Sequence, residues 1–157
     1  MIKLEVVVDN LQWKKKIKKP NTFFQHILRY LPKKYKSKKK NIIFSLLLSN
    51  SIKIKKLNKI FRKKNKTTDV LSFPINEEIS NNNFYIGDII ISYQHMNNPK
   101  SINSINFKKK VIKIFIHGFL HLAGYDHIKE KDFIKMRDEE QRIFKLIERK
   151  IDTIIKI

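Results

Sequence analysis

At 157 residues the chain is long enough to bury a core and short for two, so one domain spanning residues 1–157 is expected. It has no cysteine, which excludes disulfides and thiolate metal ligands and leaves histidine and carboxylate for any transition metal. The 35 Lys and Arg against 14 Asp and Glu give a net charge of +21, which invites nucleic acid, although a chain so rich in Lys, Ile, Asn and Phe is also what an AT-rich genome produces.

The opening stretch, Met1-Ile-Lys-Leu-Glu-Val-Val-Val-Asp9, alternates as a strand and carries no signal-peptide pattern. No apolar run reaches the length of a membrane span. A soluble, cytoplasmic protein with no membrane partner is therefore expected. Lys14–Lys19 reads as a basic connector. Pro20 suits a helix start, Phe23, Phe24, Ile27, Leu28 and Leu31 recur at helical spacing, and Pro32 stops them. A second basic loop is expected over 33–40, then a strand over Ile42–Leu48. Ser51 is positioned to cap a helix whose stripe is Ile54, Leu57 and Phe61, running out into Arg62. Thr67–Pro74 predicts a short strand, followed by a polar loop through Asn83. Phe84–Ser92 predicts another strand, with Gly87 marking a bulge or a close backbone approach.

Residues 93–104 read as turns with a short helix. From about Phe107 a helix is expected that beyond Val111 is apolar almost all round, which places it inside the fold. A last helix over about 131–151 would set Phe133, Met136, Phe144, Ile147 and Ile151 on one face; Glu140 lies in that stripe and needs a partner if buried. The element order argues an α+β fold, a small mixed four-stranded sheet packed with helices around a central buried helix.

The chemistry concentrates in His117-Gly-Phe-Leu-His121-Leu-Ala-Gly-Tyr-Asp-His127, which holds three of the five histidines. His117 and His121, four apart on the inner helix, leave the same face about 40° apart. Gly124 can take the left-handed conformation that ends a helix, and a short turn can bring His127 back to the same point. Three imidazoles converging in this way make an open metal site with a fourth position for water or substrate, and zinc is the preferred ion, one per chain. In zinc proteases of the His-Glu-x-x-His kind the general base follows the first histidine; here that residue is Gly118. Asp126 is read either as orienting a ligand imidazole or as fixing the turn. His26, His95 and Tyr125 are read as ordinary polar or packing residues.

These residues resemble the signature of the YbeY family of rRNA maturation factors. The resemblance extends to Asn58 and Phe61-Arg62, to Thr68-Asp-Val-Leu-Ser-Phe-Pro74, to Ile86-Gly-Asp-Ile89, and to Met136 and Glu140. It covers about residues 40–150, the first forty following in pattern only. Where the family usually opens the metal helix with acidic and aromatic residues, this chain has Asn106-Phe-Lys-Lys-Lys110. The resemblance implies zinc on His117, His121 and His127, a catalytic role for Arg62, and a single-strand-specific endoribonuclease. It also implies 16S rRNA 3′-end maturation and ribosome quality control, with single-stranded RNA and the small ribosomal subunit as partners. Arg62 suits that chemistry, since a guanidinium grips phosphate at two points and stabilises developing charge. A zinc hydrolase of another class (a protease or amidase) and a non-catalytic zinc-stabilised ribosome-binding factor are the alternatives. Gly118 weakens the first, and a site with only three evident ligands weakens the second.

Overall fold

The computed structural model describes residues 1–36 and 40–157. Its four strands are β1 (Ile2–Val8), β2 (Asn41–Ser49), β3 (Val70–Ser80) and β4 (Asn83–Ser92), in the spatial order β1-β2-β4-β3. β1 runs parallel to β2 and β2 to β4, while β3 pairs antiparallel with β4 at the edge. The expected α+β class and mixed four-stranded sheet are what the chain forms.

Alternation along the strands decides which face is which. Phe44, Leu46 and Leu48 of β2 and Ile89 and Ile91 of β4 join the main core. Their neighbours point the other way, where Leu71 and Ile90 meet Ile54 in a second, smaller cluster. Helix α3 (Ser51–Arg62) covers that second face. The other helices sit on the main-core face: α1 (Gln12–Lys16), α2 (Pro20–Arg29), α4 (Tyr93–Met96), α5 (Ser104–Leu122), α6 (Glu130–Glu148) and α7 (Ile151–Ile155). Among the described residues no helix is long and apolar enough to cross a membrane.

Several local expectations shift for identifiable reasons. The basic connector is partly helical, because Trp13 is fully buried and its indole N–H donates to the Ser49 carbonyl at 2.9 Å. The basic loop begins as a single 3-10 turn, Lys33–Tyr35; positions 37–39 of that expectation lie outside the described residues. Asn50, not Ser51, caps α3, its side chain accepting from the Lys53 N–H at 2.9 Å. Ser51 instead pairs its hydroxyl with that of Ser92 at 2.8 Å. Phe61 lies off the buried stripe, which turns through Asn58, and stacks edge-on against Phe73 on the surface. β3 runs well past Pro74 to Ser80, since Glu77, Glu78 and Ser80 keep pairing with β4 beyond a register shift.

Gly87 behaves as expected. It sits at φ 134°, and a Cβ there would stand 2.1 Å from the Phe73 carbonyl oxygen, so only glycine lets the two strands meet. The last helix is two: α6 stops at Glu148 and α7 carries Ile151. On α6 it is Met136, Glu139, Ile143 and Ile147 that are buried, with Phe133 half-exposed.

The central helix is α5. Its start is capped by Asn103, which accepts from the Asn106 N–H at 2.8 Å. Phe115 and Phe119 stack on Phe44 of the sheet with ring centroids at 6.2 and 5.5 Å. Gly118 faces β3 and β4: an added Cβ would lie 2.9 Å from Ile89 Cγ2 and 3.1 Å from Ser72 Oγ. The Ser72 hydroxyl donates to the Gly118 carbonyl at 3.1 Å, locking helix and sheet together one residue from His117.

Candidate metal centre

The last turn of α5 and the loop after it bring the three histidines together. His117 and His121 share a helix face, with ring centroids 4.7 Å apart and Nε2 atoms 3.1 Å apart. α5 ends at Leu122; Gly124, at φ 92°, then reverses the chain, and the Tyr125 N–H returns to the Leu120 carbonyl at 2.9 Å. That reversal carries His127 to 5.5 Å from the His117 ring and 4.9 Å from the His121 ring. One donor atom from each of the three lies within 4.8 Å of the others, so together they could hold a metal ion. In a tetrahedral zinc site, bond lengths of about 2.0–2.1 Å put neighbouring nitrogens roughly 3.3 Å apart, so the His117–His121 spacing fits one shared ion.

The far nitrogens are tied down. His117 Nδ1 lies 2.5 Å from Glu140 Oε1 on α6, and His121 Nδ1 lies 3.1 Å from the Tyr125 carbonyl oxygen. Each contact calls for a proton on Nδ1 and leaves Nε2 as the free lone pair. Burial, with His117 and His127 close by, holds the His121 imidazole below its usual pKa. Neutral imidazole is the form that binds metal. Glu140, flagged from sequence as needing a partner, has one in His117.

Asp126 takes the plainer of its two readings. Its carboxylate accepts from the His127 backbone N–H at 2.7 Å and so shapes the turn. His26 Nδ1 lies 3.0 Å from the Thr22 carbonyl of its own helix, and neither His26 nor His95 joins the cluster. Gly118, next to His117, looks into the sheet and not towards the imidazoles. A carboxylate at that position would meet Ile89 and Ser72 before it met any metal.

Arg62 ends α3 on the opposite side of the sheet, and its guanidinium Nη2 donates to the Ser72 carbonyl at 3.1 Å. β3 is an edge strand. Arg62 is therefore bonded to the edge strand, at the residue whose hydroxyl holds Gly118.

Sequence reasoning missed a polar cluster behind the site. Glu139 of α6 is only 9% exposed, yet it accepts from Tyr35 Oη at 2.7 Å, Lys34 Nζ at 2.9 Å and both Nε and Nη2 of Arg142 at 3.0 and 2.7 Å. Burial alone would push its carboxyl up; Arg142, Tyr35 and Lys34 outweigh that and hold it down at about 2. Lys34 also donates to the Tyr125 hydroxyl at 3.1 Å, and the Tyr35 and Tyr125 hydroxyl oxygens lie 3.3 Å apart. Tyr125 thus joins this cluster to His121 through its own carbonyl. Arg142 is a helical neighbour of Glu139, but the contacts of Lys34 and Tyr35 link residues 90 and more apart in the chain, and no local pattern announces them.

A family model described as Endoribonuclease YbeY matches residues 7–148. The chain belongs to this family. Proteins named endoribonuclease YbeY align along nearly its whole length. That of Pelagibacter ubique is 57% identical and covers 96% of this chain and 99% of its own. That of Neorickettsia sennetsu is 32% identical, with 90% and 95% covered. The likeness to YbeY proteins thus reaches into the first forty residues, beyond the span that motif residues alone indicated. The solution structure of TM1509 from Thermotoga maritima matches 98% of this chain and 93% of its own with a TM-score of 0.54 at 23% identity, which is a likeness of fold.

Proposed function

We propose that residues 1–157 form one zinc-dependent domain that cleaves single-stranded RNA internally. The physiological role that goes with this reading is 16S rRNA 3′-end maturation and ribosome quality control, on the small subunit in the cytoplasm. The observation that carries the proposal is the convergence of His117, His121 and His127 in a chain that belongs to an endoribonuclease family. His117 and His121 would hold the ion through Nε2 and His127 through one ring nitrogen, leaving one position open. The chemistry such an ion supplies is Lewis acidity towards a phosphoryl oxygen and a lowered pKa for coordinated water, to about 7.

The protein's own groups do the rest. Glu140 and the Tyr125 carbonyl fix the tautomers of His117 and His121. Arg62 spends one N–H on Ser72, and its remaining donors are available to phosphate oxygens, where they would stabilise charge gained during cleavage. Phosphodiester cleavage of this kind has no need for the carboxylate that peptide hydrolysis would want at position 118, and the packing of Gly118 speaks against the protease alternative. The net charge of +21 suits a polyanionic substrate.

The test is metal analysis of the purified protein beside an assay on single-stranded and duplex RNA. About one zinc per chain and cleavage of the single strand are expected. His121→Ala should lose both zinc and cleavage. A His121→Ala protein with full zinc content, or a wild-type protein that cuts no RNA with zinc in place, would overturn the reading.

A further inference from the structure

A cleft of about 450 Å³ opens beside the metal loop, between the 3-10 turn at Lys33–Tyr35 and residues 123–125. Ligand sites of small-molecule size run from roughly 300 to 1,000 Å³. Its floor is apolar: Phe119 and Leu122 from the end of α5, and the partly buried Ile42 and Ile86 from β2 and β4. Its rim is polar, with Lys34, Tyr125 and Asn76. Asn76 sits in the register shift of β3 at φ 59°, which turns it out of the strand pairing to the mouth of the cleft.

We propose that this cleft seats one unpaired nucleobase of an RNA strand whose backbone passes the three histidines. The inference rests on the endoribonuclease reading and adds the feature that would make it single-strand-specific. An apolar floor with a few polar groups at the rim suits a flat heterocycle whose faces are apolar and whose edges form hydrogen bonds. Asn76 offers both a donor and an acceptor to such an edge. Lys34 is held at the rim by Glu139 and the Tyr125 hydroxyl, with its side chain 48% exposed. Those two contacts use two of its three N–H bonds, so the third is left for the adjoining phosphate.

The cleft wall is also the metal loop itself. Ala123 and Gly124 lie between His121 and His127, and the Tyr125 carbonyl holds His121. A base in the cleft therefore places its own phosphodiester next to the imidazoles. A base still paired in a duplex cannot enter, because its edge is occupied and its faces are stacked.

The decisive experiment is an abasic scan. Single abasic sites are placed in turn along a labelled single-stranded RNA, and binding to the zinc-loaded protein is measured by fluorescence anisotropy, with cleavage followed in parallel. Losing one seated base should weaken binding about tenfold at one register position relative to the cut, with little change elsewhere. Two variants check the location. Ala123→Phe should fill the cleft, and Asn76→Ala removes the rim amide far along the chain from the histidines. Both should keep their zinc, bind intact RNA more weakly and lose the position dependence wholly or in part. A flat scan with cleavage intact would overturn the seated base and leave the nuclease reading standing. A position dependence unchanged in both variants would place the base elsewhere and overturn the assignment. RNA neither bound nor cut would overturn both readings.

Discussion

The contact between His117 and Glu140 gives the sharpest prediction about the site. Glu140→Gln keeps the length of the side chain and an amide oxygen that can still accept from His117 Nδ1, so geometry is preserved and only the charge is removed. A carboxylate behind a ligand imidazole raises its basicity, and losing such a partner costs 10- to 100-fold in metal affinity. The exposure of this pair decides where in that range the effect falls. The His117 and Glu140 side chains are 28% and 32% exposed, so solvent already screens part of the interaction. The low end is expected, about tenfold or ~1.4 kcal/mol. Glu140→Ala should cost more, since it frees the imidazole to rotate as well. The assay is competition against a chromogenic chelator, with circular dichroism to show that α6 is intact. Zinc affinity unchanged in both variants would show that the contact holds the two helices together and does nothing for the metal.

Arg62→Ala should leave zinc content intact and cut turnover of single-stranded RNA on the order of a hundredfold. Arg62→Lys should recover only part of that, an ammonium lacking the planar two-point grip; wild-type turnover in Arg62→Ala would remove this residue from the mechanism. Gly118→Ala gains about 1 kcal/mol of helix propensity, but its methyl group would press on Ile89 and Ser72, and overpacking of that kind costs about 1–3 kcal/mol. Net destabilisation is expected in urea titrations, and a more stable variant would contradict the close packing of α5 on the sheet. Glu139 has its carboxyl held down at about 2, so its contribution is present above the ordinary carboxylate range and is lost as pH falls through about 2. The gap in melting temperature between wild type and Glu139→Gln should thus be full near neutrality and narrow as pH drops from about 4.5 towards 2. A gap independent of pH over that interval would mean that packing alone separates the two proteins.

The class of fold and the identity of the candidate ligands were legible in the sequence. Both are written in local patterns: alternation in the strands, the apolar all-round helix at 111–122, and a histidine pair at one helical turn followed by a glycine that reverses the chain. Such signals act over a few residues and survive without knowledge of what packs where. The helix of α1 was not legible, because five residues rich in lysine form it only around a tryptophan that inserts beneath Ser49. Nor was the length of β3, which depends on pairing with β4 and not on its own propensity. At the site the tertiary structure alone decided that Glu140, 23 residues from His117, orients that imidazole while adjacent Asp126 merely holds the turn. It also decided that Gly118 is demanded by the sheet beneath it, a fact the sequence offered only as a missing carboxylate. The physical reason is the same in each case. Hydrogen bonds and contacts between segments far apart in the chain leave no periodic trace in either segment, so they become visible only when the fold brings the two together.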